Sequence, residues 1–231
     1  MRVLGIVFCG PPGNTFEAEG RLVSIATALA TRCAIDWVLA AGSRRATVDL
    51  EHRWAPPGGG RICTLEPAES IQPGWWREMR ARHLEHHEGP RQALQVDAAL
   101  GRLDPTVGRH QMAKILGEGQ YDFVWCANVV AMALYGKVRR DLPVVVDLKA
   151  PIGGGSRVAA PVPDPAEWHR FEQHVAASAH IVTLPSPDAR ETLGVPGALV
   201  IDPSAAVDVA RMHDAFAEMC RWNDAFHGLS R

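Results

Sequence analysis

No charge of one sign dominates this chain. Its 24 Lys and Arg stand against 26 Asp and Glu, mixed along 231 residues, for a net charge of −2. Binding to nucleic acid rests on a basic surface that neutralises phosphates, so this balance argues against a nucleic-acid partner. Cysteine is sparse and unpaired in pattern. The five thiols, Cys9, Cys33, Cys63, Cys126 and Cys220, are odd in number and include no Cys-x-x-Cys, which excludes a regular disulfide framework or a zinc ribbon. Cys9, Cys33 and Cys126 fall inside apolar strand-like runs, as buried reduced thiols do. No apolar run reaches the length that spans a bilayer. The apolar N-terminus, Met1 to Cys9, lacks the small-residue cleavage site of a signal peptide and reads as a first strand. A cytoplasmic protein is expected. Neither Gly-x-Gly-x-x-Gly after that strand nor a P-loop occurs anywhere, which counts against a dinucleotide enzyme or a nucleotide triphosphatase.

What is present is an alternation of short β-branched runs with helical patterns. Val3 to Cys9 predicts a strand, ended by Gly10-Pro11-Pro12-Gly13-Asn14. Glu19 to Thr31 carries Leu22, Ile25, Ala26 and Leu29 at helical spacing, and Ala34 to Ala41 is a second strand. The middle is less regular: a short strand over Arg61 to Leu65, a helix over Gly74 to His87, and a longer one from Gln92 to Leu116 with a break at Asp104-Pro105. Strands then follow at Asp122–Ala127, Val144–Leu148, His180–Leu184 and Ala198–Ile201, with helices over Val129–Arg140, Pro165–Ser178 and Asp188–Leu193. The pattern predicts an α/β fold, a doubly wound parallel Rossmann-like sheet, as one domain over residues 1–208. Residues 209–231 place Val209, Met212, Phe216, Met219 and Phe226 at three- and four-residue steps, with Asn223 on the same seam. That is an amphipathic helix packed on its own domain or on a partner.

In such a sheet ligands bind beyond the carboxyl ends of the strands. The candidate loops are Gly10–Gly20, Gly42–Arg45, Ala127-Asn128, Asp147–Arg157 and Pro185-Ser186. Gly13, Asn14 and Gly20 either present backbone N–H groups to a phosphate or sugar or only make the strand-to-helix turn. Glu17, Glu19 and Arg21 lie at the start of that helix. Asn128 has an amide that both donates and accepts to a sugar hydroxyl. Asp147, ending a buried strand, has to face the cleft or pair with Lys149 or Arg157. Arg157 follows three glycines, as in a mobile cover over an anion or a plain linker. Trp75 and Trp76, beside Arg77, Arg80 and Arg82, suit a membrane interface or a lipid-linked acceptor, or else a loop anchor. His83 and His87 share a helix face, but no third ligand is evident and no metal is expected.

Four segments, in order, resemble the N-terminal domain of family-4-type retaining glycosyltransferases of the two-domain GT-B architecture. They are the first strand with its Gly/Pro loop and the helix ending Ala28-Leu29-Ala30; Tyr121 to Asn128 with Pro143 to Leu148; Trp168-His169-Arg170-Phe171-Glu172 followed by Ala179 to Thr183 and Ser186; and Leu199 to Asp208. The third is similar to the family's WxRxE and ADxVVTxS stretch, the fourth to its VxVxPNGVD. Ser204 and Ala205 replace the Asn-Gly of that hinge, and Asn14-Thr15 with Gly20 replaces a Gly-Gly pair. The resemblance implies an acceptor-binding half-domain working in sugar transfer, of hexosyltransferase type, from a nucleotide sugar held by a donor-binding partner or dimer mate. The family's E-x7-E donor element has no counterpart here. It implies a sugar acceptor, free or lipid-linked, no cofactor or metal of its own, and peripheral contact with the inner membrane face if the acceptor is a lipid. The alternative is a non-catalytic scaffold for a partner glycosyltransferase.

Overall fold

The computed structural model of the chain describes residues 1–9, 19–41, 60–65, 105–128, 131, 132, 135, 142–148 and 165–228. Seven strands form one sheet: β1 (Arg2–Cys9), β2 (Ala34–Ala41), β3 (Ile62–Leu65), β4 (Phe123–Cys126), β5 (Val144–Asp147), β6 (Ile181–Leu184) and β7 (Leu199–Val200). Their spatial order is β3-β2-β1-β4-β5-β6-β7, and every neighbouring pair is parallel. Five described helices flank it: α1 (Glu19–Ala30), α2 (Pro105–Glu118), α3 (Pro165–Ser178), α4 (Pro187–Leu193) and α5 (Ala206–Gly228). This is the expected doubly wound α/β fold.

A strand covered on both faces has no polar side, so β4 and β5 are buried at every position. Alternate residues serve opposite cores. Val3, Ile35, Trp37, Phe123 and Trp125 pack under α1 and α5, while Leu4, Ile6, Val38, Val124 and Val146 pack under α2, α3 and α4. On the first face Gly5 pairs in register with Trp37 of β2 and Trp125 of β4. The two indoles meet edge-on with centroids 5.7 Å apart. A Cβ on Gly5 would stand 2.5 Å from the Trp37 ring, so only glycine leaves room for it.

The helix ends follow local rules. Pro105 opens α2, where its missing N–H costs nothing. Ser186 caps α4 by accepting from the Ala189 N–H, and Gly194 closes it at φ 65°. The helix expected from Gln92 therefore has its described part from Pro105 onward. Residues 131, 132 and 135 are helical, within the helix expected over Val129–Arg140. The segment Gly74–His87 lies outside the described residues. In α5, which begins at Ala206, Met212, Phe216 and Met219 are buried against the sheet, with Phe216 edge-on to Phe123 at 5.3 Å. Phe226, expected on the same seam, is 71% exposed, as is Trp222 at 72%. Cys220 reaches the Asp122 carbonyl where β4 begins, so α5 has come to the amino ends of the strands by that residue.

Those amino ends are tied by Asp36 of β2. Its carboxylate accepts from the Arg61 backbone N–H (3.0 Å), the Tyr121 hydroxyl (2.9 Å) and the Arg2 guanidinium (3.0 Å). Burial opposes the charge, but these three donors together hold the Asp36 carboxyl below the usual carboxylate range.

Gly5→Ala is expected to cost about 1–3 kcal/mol through overpacking against Trp37, read as a fall of roughly 2–4 °C in melting temperature per kcal/mol. An unchanged melting temperature would contradict the packing described. Because Asp36 has a lowered folded value, its contribution is present above the unfolded value of 3.8 and is lost as pH falls through the folded one. Tyr121→Phe, which removes a donor to that charge, should therefore lose about 1.5–3 kcal/mol at neutral pH, with the difference from wild type narrowing in acid. Urea titrations at several pH values measure both.

Candidate functional site

The strand order reverses between β1 and β4, and the crevice beyond their carboxyl ends is where a sheet of this kind binds ligands. Asn128 stands there, half-buried, one residue past the bond from the Ala127 N–H to the Ile6 carbonyl that ends the ladder. Its Oδ1 accepts from the Ala131 N–H at 2.9 Å and its carbonyl from the Met132 N–H. Asn128 is thus the N-cap of the helix after β4. Gly20 lies in the first turn of α1, whose Arg21 reaches the carboxyl ends of β5 and β7. Two helix amino termini with their partial positive charge suit oxygen-rich or anionic ligands.

Asp147 occupies a different position from the cleft-facing one considered from sequence. It is wholly buried on the face covered by α1. Its Oδ1 accepts from the Arg21 guanidinium at 2.9 Å and from the Thr183 hydroxyl at 2.7 Å. Thr183 is its direct register partner on β6. Arg21 also donates to the Ile201 carbonyl just past β7, at 2.7 Å. One arginine from the first turn of α1 thereby clasps the carboxyl ends of β5, β6 and β7. The described charge partner of Asp147 is Arg21; Lys149 and Arg157 lie outside the described residues, as do Gly13, Asn14, Trp75, Trp76, His83 and His87.

The sequence did carry one sign of the clasp. A cation in the first turn of a helix faces the positive end of the dipole, so Arg21 needed an acidic partner close by. Thr183 and Ser186 of the glycosyltransferase-like stretch both have local roles, as donor to Asp147 and as cap of α4. Glu172 of the same stretch is buried on α3. At the hinge-like turn, Asp202 accepts from the Ser204 N–H and hydroxyl, and Asp208 accepts from the Asp202 N–H and Arg211. No non-glycine residue among those described has positive φ, so Ser204 and Ala205 fit this turn without the Asn-Gly conformation.

Burial pushes the Cys33 and Cys126 thiols up and raises Cys220 to about 11, so none of the three is a thiolate nucleophile at neutral pH. Among the described residues no cluster of three metal-ligating side chains occurs, and no helix is long and apolar enough to cross a membrane.

No protein-family model and no curated protein sequence matches the chain. Its structural neighbours are GT-B glycosyltransferases and epimerases. Arabidopsis thaliana UGT89C1 complexed with UDP-L-rhamnose is 14% identical, with a TM-score of 0.50 over 92% of this chain and 55% of that one. Phytolacca americana UGT2 complexed with UDP-2fluoro-glucose and pterostilbene is 13% identical, with a TM-score of 0.50 over 87% of this chain and 53% of that one. A putative UDP-N-acetylglucosamine 2-epimerase from Listeria monocytogenes is 15% identical, with a TM-score of 0.48 over 87% and 43%. The chain spans about half the length of these neighbours or less. What they share with it is the fold: a Rossmann-like sheet of the GT-B kind, found in proteins that use nucleotide sugars.

If Asp147 is an anchor, Asp147→Ala should destabilise by about 3–5 kcal/mol, since it leaves Arg21 without its buried counter-charge. Arg21→Met should cost as much, and the double variant Arg21→Met/Asp147→Leu should recover most of the loss. A double-mutant cycle from denaturant unfolding reads the coupling, and additive losses would refute the clasp.

Proposed function

We propose that this chain is the acceptor-side half of a glycosyltransferase-like assembly, acting in transfer from a nucleotide sugar held by a donor-binding domain or partner. The observation that carries the reading is the extent of the structural likeness. Nearly the whole of this chain corresponds to about half of neighbours complexed with UDP-sugars. The order of the glycosyltransferase-like segments along the sequence supports it.

In this reading the crevice between β1 and β4 receives a hydroxyl-bearing acceptor. The Asn128 side chain and the amino end of α1 orient the attacking hydroxyl toward a sugar carried from the facing half. Such placement accelerates transfer by alignment of the reacting atoms. The charge that develops on the leaving diphosphate is met by the donor half, and the acceptor half contributes orientation alone.

The test is a radiolabelled transfer assay with UDP-sugars and a panel of hydroxylated acceptors, free and lipid-linked, with and without a donor-binding domain. Transfer is expected only when the donor half is present. Asn128→Asp keeps the helix cap but loses the amide donors, so it should lower transfer about tenfold, the size expected for one hydrogen bond, with little change in melting temperature. Turnover of a UDP-sugar by the purified monomer alone would overturn the proposal.

A further inference from the structure

His213 lies where α5 crosses the end of α1, and it is 2% exposed. Its Nε2 is 2.9 Å from the Ala28 carbonyl and 3.4 Å from the Thr31 hydroxyl. A carbonyl only accepts, so Nε2 carries the hydrogen of the neutral ring. Nδ1 is therefore the bare nitrogen, and among the described residues it has no hydrogen-bond partner. A second proton on this ring would create an N–H with no acceptor and a charge in a poorly solvated contact. The same contact ties α5 to the end of α1, beside Met212, Phe216 and Met219, which pack in the cluster on the sheet face.

The charged groups around the ring divide. Arg32, just past α1, opposes its protonation; Asp214, the next residue on α5, favours it; and the sheet face beneath is apolar. Burial is the largest influence and holds the imidazole below its ordinary value, with the Ala28 carbonyl working against it. An open groove of about 490 Å³ between α1 and the start of α5, walled by Thr27, Thr31, Arg32 and Val209, gives water a path to the edge of this contact.

We infer that His213 makes the docking of α5 sensitive to acid, so that in mild acid the helix loosens from the sheet face while the sheet itself stays folded. The strands pair through backbone hydrogen bonds that do not involve α5, so the helix has its own, lower cost of opening. The docked state favours the neutral ring and the undocked state binds the proton more readily. Docking strength is thus complete above the free value of 6.5 and is lost as pH falls through the lower docked value. In that window the opening equilibrium rises by up to about tenfold per pH unit, the limit for one linked proton.

Amide hydrogen exchange from about pH 7.5 to about pH 5, corrected for the intrinsic rate at each pH, tests this in the whole chain. Protection of residues 212–220 should fall with acid at that slope while β1 and β4 stay protected. His213→Gln, which keeps a donor for the Ala28 carbonyl but cannot titrate, should flatten the fall. Exposed substitutions provide a check that does not depend on that variant folding: Arg32→Gln should move the midpoint toward neutral pH and Asp214→Asn toward acid. Loss of protection in α5 and β4 together, a wild-type profile in His213→Gln, or midpoints that fail to move in opposite directions would each overturn the inference.

Discussion

A carboxylate with no access to water must have a partner, and Asp147 is in that position at the end of β5. The requirement is met by Arg21, which comes from a helix 126 positions away in the chain. Much of the architecture near the carboxyl edge depends on that pairing. It pins the first turn of α1 across β5, β6 and β7, and it uses the Thr183 hydroxyl and the Ile201 carbonyl to complete the shell. The start of α1 then has one position relative to the strand ends, and so does the crevice beside it.

A second constraint acts at the centre of the sheet. Two tryptophans on strands flanking β1 fill the space above a single glycine, which sets how closely α1 and α5 approach that face. On the opposite face the strands themselves contribute mostly aliphatic side chains, with Tyr121 and Tyr135 packed into the same cluster. The amino edge is closed by Asp36 with donors from β1, the segment before β3 and the segment before β4. One buried carboxylate thus holds each end of the sheet, and the two ends have different consequences. The amino-end cluster is a brace. The carboxyl-end cluster ties β5, β6 and β7 at the same edge of the sheet at which the crevice between β1 and β4 opens.

For a transferase half of the kind proposed, that division is chemically sensible. Residues that orient a hydroxyl need a rigid support, and Asn128 has one because the oxygen of its amide caps a helix while β4 is buried on both faces. Asp147, polar and close by, holds the scaffold through its Oδ1.

The alternation of β-branched runs with helical spacing was enough to place the strands; it is plainest at β4 and β5, which are covered on both sides and have no polar face to blur the pattern. The rule that ligands lie past the strand ends pointed to Asn128, which stands at the end of β4 and caps the helix that follows. Sequence spacing could not assign Asp147 its partner. The nearby Lys149 and Arg157 were natural candidates, whereas the arginine in contact came from a helix that the crossover brings back over β5. Nor could it tell that Phe226 would be 71% exposed, since its helical phase is that of the buried residues of α5. Local chemistry determined which segments are strands, helices and caps. Which charges meet, and which apolar residues find cover, was decided by how those segments stack, because contacts between distant parts of the chain are properties of the packed layers and not of any one of them.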